Sequence, residues 1–120
     1  MTRIRREGCL WDWPGSHREA ATYFKEHGPE ALKSCIPYPP IHLSKPRQVT
    51  ARAGDVMFAH YMLGHNMGGN VSDLVREVLY FRLRRAGHRQ HWQETVQDPF
   101  LEFEPVRCVW TANDWFTAPQ

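Results

Sequence analysis

Gly54–Arg85, GDVMFAHYMLGHNMGGNVSDLVREVLYFRLRR, is the stretch on which the reading of the chain turns. Gly54-Asp55 marks a turn, with Asp55 placed to stabilise it. Val56 to Tyr61 then alternates as a short strand, with Val56, Phe58 and His60 on one face and Met57, Ala59 and Tyr61 on the other. A polar, glycine-rich crossing runs from Gly64 to Asn70, opened by His65. From Leu74 to Leu83 a second strand is predicted, with Arg76, Val78, Tyr80 and Arg82 on one face and Val75, Leu79, Phe81 and Leu83 on the other. Both faces are largely apolar, the pattern of a central strand covered on both sides. On that pattern Arg76 points inward, where a charge needs an anionic partner.

Working outward, Gly8 to Trp13 alternates and is predicted to be a strand with Cys9, Trp11 and Trp13 on one face, ended by Pro14-Gly15. Ser16-His17-Arg18-Glu19 has the form of a capping box, so a helix is expected from there to the stop at Gly28-Pro29, followed by a helical turn around Glu30 to Lys33. Pro37 to Pro46 holds four prolines and reads as an irregular loop, leading to a brief strand over Val49 to Ala53. His88 to Gln97 reads as a helix stopped at Asp98-Pro99, and Phe100, Phe103, Trp110, Trp115 and Phe116 are expected to pack back on the sheet.

A chain of 120 residues holds one domain at most, residues 1–120, and 42% hydrophobic residues with 12% aromatics is a globular composition. The net charge of +2 leaves no electrostatic footprint for nucleic acid. Cys9, Cys35 and Cys108 are an odd count without metal-like spacing, and no apolar leader follows Met1, which together predict reduced thiols and a cytoplasmic protein. The apolar run Val56 to Leu63 is too short to span a bilayer, so no membrane association is expected.

Gly8-Cys9-Leu10, Pro14-Gly15-Ser16-His17, Gly54-Asp55, His65, Asn70-Val71-Ser72, and an arginine eleven residues after His65, Arg76, together resemble the phytanoyl-CoA dioxygenase family of iron(II)- and 2-oxoglutarate-dependent oxygenases. The resemblance runs from Gly8 to about Arg107 and implies the C-terminal half only of the family's domain. The implied fold is mainly β, a partial jelly roll or cupin-like double-stranded β-helix with one or two peripheral helices. The implied function is that of the C-terminal part of a hydroxylase, for a small-molecule substrate the sequence does not name. Its cofactors would be Fe(II) and 2-oxoglutarate, with His65 as a metal ligand and Arg76 gripping the cosubstrate carboxylate through two parallel hydrogen bonds.

Iron in such enzymes needs two histidines and a carboxylate. No His-x-Asp pair occurs in the sequence, and the nearest imitation, His17-Arg18-Glu19, is better explained by the capping box. The chain alone is therefore expected to be inactive, as either a fragment missing its N-terminal half or a half-barrel that pairs its open edges with another copy as a homo-oligomer. The alternative is a non-catalytic β-sandwich binding or interaction module derived from the same fold. Ordinary roles also exist for each residue. His65 can serve as a loop histidine bonded to backbone, Arg76 can pair with Glu77 or Asp73 at the surface, His60 can satisfy a core partner, and Asn70-Val71-Ser72 can stabilise a turn rather than accept a glycan.

Overall fold

A computed structural model describes residues 8–35 and 37–107. Its elements in chain order are β1 (Leu10–Asp12), α1 (Ser16–His27), a 3-10 helix (Pro29–Lys33), β2 (Arg47–Val49), β3 (His65–Met67) and α2 (His88–Gln97). The strands form an open antiparallel sheet in the order β2-β1-β3. Directly opposed residues in antiparallel pairs share a face. Arg47, Asp12 and His65 therefore form one row across the sheet, and Val49, Leu10 and Met67 form the next row on the same side.

The helical layer holds the core. α1 follows the turn at Pro14-Gly15, where Gly15 takes φ 83°, and ends at Gly28, φ 82°, both in the left-handed region that glycine occupies without strain. Its spacing brings Ala20 and Phe24 to one stripe, which meets Val96 of α2. Tyr23, Ala31, Cys35, Ile41, Met62 and Trp92 pack around these three. Burial of Phe24 to 1% exposure anchors the layer, worth on the order of 2 kcal/mol for such a side chain.

The expectation of a mainly β jelly roll is overturned. Among the described residues helix dominates, with 12 residues in α1 and 10 in α2 against three strands of 3 residues each, and the sheet there does not close into a barrel or face a second sheet. The alternation over Val56–Tyr61 and Leu74–Leu83 builds no strand in the described structure: neither stretch has a ladder partner, and Phe58, Leu79 and Phe81 are exposed. Strand propensity expresses a fit to a pleated, half-buried surface, and without a neighbouring strand the same residues stay outside the sheet. The partners of β1 come instead from Arg47–Val49, which meets the strand expected over Val49 to Ala53 only at Val49, and from the glycine-rich crossing.

The capping box is also absent. The N-cap is Gly15, and the Ser16 hydroxyl, buried at the helix start, accepts the Gly64 N–H at 2.7 Å. Trp13 N–H donates to the Gly64 carbonyl at 3.0 Å, so the β1–α1 corner is tied to the crossing by two bonds. The predicted helices over Ser16–His27 and His88–Gln97 and the turn after Gly28 are present. Phe100 packs near α1 through an edge contact with His17. Cys108, Trp110, Trp115 and Phe116 lie outside the described residues.

Candidate functional site

The β3 face is built from the crossing. Gly68 N–H donates to the Cys9 carbonyl at 2.7 Å, and a Cβ at Gly68 would stand 2.8 Å from Trp11 Nε1, so only glycine lets the crossing lie flat against β1. His65 sits at the start of β3, exposed, with Nδ1 2.8 Å from the Leu63 carbonyl. That bond holds a hydrogen on Nδ1 and leaves Nε2 as the basic nitrogen. Met67 lies two residues on, hence on the same face about 6.7 Å along the strand. Onto Met67 Sδ fold the Arg76 guanidinium at 3.8 Å and the Tyr80 hydroxyl at 3.2 Å. Asn70 shapes the return, with Oδ1 accepting from the Ser72 N–H and hydroxyl and Nδ2 donating to the Leu74 carbonyl at 2.7 Å.

Arg76 is exposed rather than buried, because the stretch that carries it leaves the sheet. The described residues provide it with no ion pair to Glu77, Asp73 or any other carboxylate. A contrasting site lies one row across the sheet. Asp12 is 3% exposed and takes two bonds from Arg47, from Nε at 3.2 Å and Nη2 at 2.8 Å. This carboxylate is already held in a fork and lies in the same row as His65.

A second constellation lies where α1, the chain before the crossing, and the segment after α2 converge. The rings of His17 and His60 stand 5.5 Å apart, and Phe100 and Phe103 meet them edge-on at 6.1 Å each. Met62 N–H donates to His60 Nδ1 at 3.1 Å, and the Nε2 is buried. Burial, then the neighbouring His17, hold His60 down at about 4, although the Pro99 carbonyl and Glu102 lean the other way. His17 is lowered as well, by burial first and by Arg18 second. Tyr61 stacks on His60 and meets His88 edge-on, and His88 Nδ1 lies 2.9 Å from both oxygens of Glu102. A carboxylate that holds one ring nitrogen fixes the orientation of the other, the arrangement of a positioned imidazole. Sequence reasoning gave His88 only as a helix start and passed over Glu102. The signal for the cluster was slight: His60 lies inside an apolar run, and His88 and Glu102 are 14 residues apart.

Iron fits neither place as it stands. Among the described residues no group of three or more His, Cys, Asp or Glu side chains could hold a metal ion, which corrects the reading of the chain as metal-binding. The β3 face offers His65 alone, and the His17–His60 pair lacks a facing third ligand.

The sequence profile of the phytanoyl-CoA dioxygenase (PhyH) family matches residues 2–78. The chain belongs to that family. The match takes in β1, α1, the crossing, His65 and Arg76, and it ends before α2. It occupies the N-terminal two-thirds or so of the chain, so the reading as the C-terminal half of the PhyH domain, running on to Arg107, is overturned. The function built on that placement falls with it, and the β-sandwich module falls to the mixed helical and strand architecture. No curated protein and no solved structure matches the chain. PhyH membership associates it with Fe(II) and 2-oxoglutarate chemistry at the level of the family. No helix among the described residues is long and apolar enough to cross a membrane.

Proposed function

We propose that the β3 face of this PhyH-family chain binds a small dicarboxylate of the 2-oxoglutarate type. Arg76 supplies the carboxylate contact, and His65 borders the same face. The observation that carries this reading is the Arg76 guanidinium at 3.8 Å from Met67 Sδ, without a carboxylate partner and on the strand face that His65 shares. A thioether is a weak acceptor, so most of the guanidinium's five N–H donors remain available to an anion. A planar fork meets a carboxylate through two parallel bonds, which an ammonium cannot reproduce.

His65 borders this face with its tautomer set by the Nδ1 bond to the Leu63 carbonyl. The described residues do not complete an iron centre. The role proposed for them is therefore recognition of the dicarboxylate.

The test is titration of 2-oxoglutarate into the chain, followed by nuclear magnetic resonance of the Arg76 side chain and the His65 ring. Binding should move both signals, and Arg76→Lys should weaken it about tenfold or more, as loss of one charge-assisted bond requires. Shifts confined to Arg47 or α2, or equal binding by Arg76→Ala, would remove the assignment.

A further inference from the structure

Val75 to Arg85 is the largest unpartnered feature of the described structure. Val75 is 86% exposed, Leu79 84%, Phe81 79% and Leu83 71%, all on the odd-numbered face, while the even-numbered face leans on β3 through Arg76, Tyr80 and Met67. The segment enters no helix, turn or ladder, and none of its backbone groups from Val75 to Arg84 donates or accepts a hydrogen bond with another described backbone group. A segment with free backbone edges and a row of exposed apolar side chains is a template for strand addition.

The sequence of the segment selects its own copy as the added strand. Two copies related by a two-fold axis normal to an antiparallel ribbon set residues of equal parity opposite each other. With the axis at Phe81, Glu77 of each copy stands opposite Arg85 of the other, Leu79 stands opposite Leu83, and Phe81 meets Phe81. On the other face Val78 meets Arg84, Tyr80 meets Arg82, and Arg76 meets Ala86. Shifting the axis to Leu79 sets Arg76 against Arg82, to Tyr80 sets Arg76 against Arg84, and to Arg82 sets that residue against itself. Moving it to Val78 leaves Glu77 opposite Leu79. The Phe81 register is the one that pairs Glu77 with an arginine and opposes no like charges.

We infer that the chain self-associates as a symmetric dimer through an antiparallel Glu77–Arg85 ribbon centred on Phe81. The ribbon satisfies the free backbone edges and joins four apolar side chains across the axis, two Leu79–Leu83 pairs, beside the Phe81 pair. Each strand keeps its even face on its own Met67, so the ribbon is not an isolated hairpin, which would be marginal in water. Arg76, opposite the small Ala86, stays open to an anion, so dimerisation and dicarboxylate binding are separable.

Sedimentation velocity on the full chain, with Glu77→Arg and Arg85→Glu made singly and then mixed, tests the inference. Both side chains lie on exposed chain outside the core, and the helical circular dichroism should be unchanged. The wild type should sediment as a dimer at micromolar concentration. Each single variant opposes two like-charge pairs and should self-associate about tenfold more weakly. The equimolar mixture restores both opposite-charge pairs and should dimerise as the wild type does. A wild type that stays monomeric, a dimer or larger aggregate indifferent to both reversals, or a mixture that fails to recover overturns the ribbon.

Discussion

Ser16 and Gly64 are joined across 48 residues of sequence by a 2.7 Å bond in which the Gly64 N–H donates to the Ser16 hydroxyl. The serine stands where its side chain could have capped its own helix, and instead it locks the first turn of α1 to the crossing that carries His65. Ser16→Ala leaves that N–H without its acceptor in a half-buried corner. We expect a loss of about 1–2 kcal/mol in urea unfolding, with Ser16→Thr recovering part of it.

Gly68 and Trp11 make a second such constraint. A methyl at Gly68 would lie 2.8 Å from the indole Nε1 and 2.9 Å from the Cys9 carbonyl, and the backbone oxygen cannot swing aside. Gly68→Ala should cost about 1–3 kcal/mol and shift the tryptophan fluorescence, whereas Gly69→Ala, where a Cβ meets nothing within 4 Å, should be close to neutral. Equal losses at the two positions would count against the close approach of crossing and β1.

The His17–His60 pair makes stability depend on pH with a definite sign. His60 titrates at about 4 in the folded chain against an ordinary 6.5, so the unfolded chain binds the proton first as pH falls. Stability from this group is complete above about 6.5 and declines between there and 4; the lowered His17 acts in the same direction, and Glu102 opposes it. Thermal unfolding across that range should show the decline, and His60→Gln should flatten it. A profile that is level from pH 7 to 4 in the wild type would sink the assignment.

Asp12 has Arg47 as its counter-ion. The carboxylate side chain is 4% exposed and the arginine 53%, so removing the arginine strands an anion that water reaches poorly. Arg47→Ala should cost about 1–3 kcal/mol, and a cycle with Asp12→Asn should show that most of it disappears when the anion is absent.

The helices were legible because their signals are local. Gly15 and Gly28 bracket α1, Asp98-Pro99 closes α2, and the apolar stripe of Ala20 and Phe24 repeats at helical spacing. The motif residues of the crossing could be picked out for the same reason: His65, Asn70, Ser72 and Arg76 lie within twelve residues of each other. Of the strands only β1, inside the alternating Gly8–Trp13, was legible, because pairing is decided by what lies opposite. Leu79 and Phe81 have stronger strand character than His65 and Asn66, yet the latter lie beside Trp11 and Asp12 and form the ladder. The histidine cluster failed for want of any spacing rule linking His17, His60 and Glu102, whose proximity exists only after α1 and the segment following α2 have docked.

The central place of β1 in the order β2-β1-β3 also sets a timetable for synthesis. Leu10–Asp12 is the first of these strands to leave the ribosome, and both of its neighbours come later, β2 at Arg47–Val49 and β3 at His65–Met67. At about 5–20 residues per second the interval before Met67 is made is about 3–11 s. Until Val49 is made, about 2–7 s at that rate, α1 can form by itself while Trp11 and the backbone of β1 have no ladder to enter. Sheet assembly then waits on the closing of two long loops, one ending at β2 and the other at β3, a non-local pairing that slows folding.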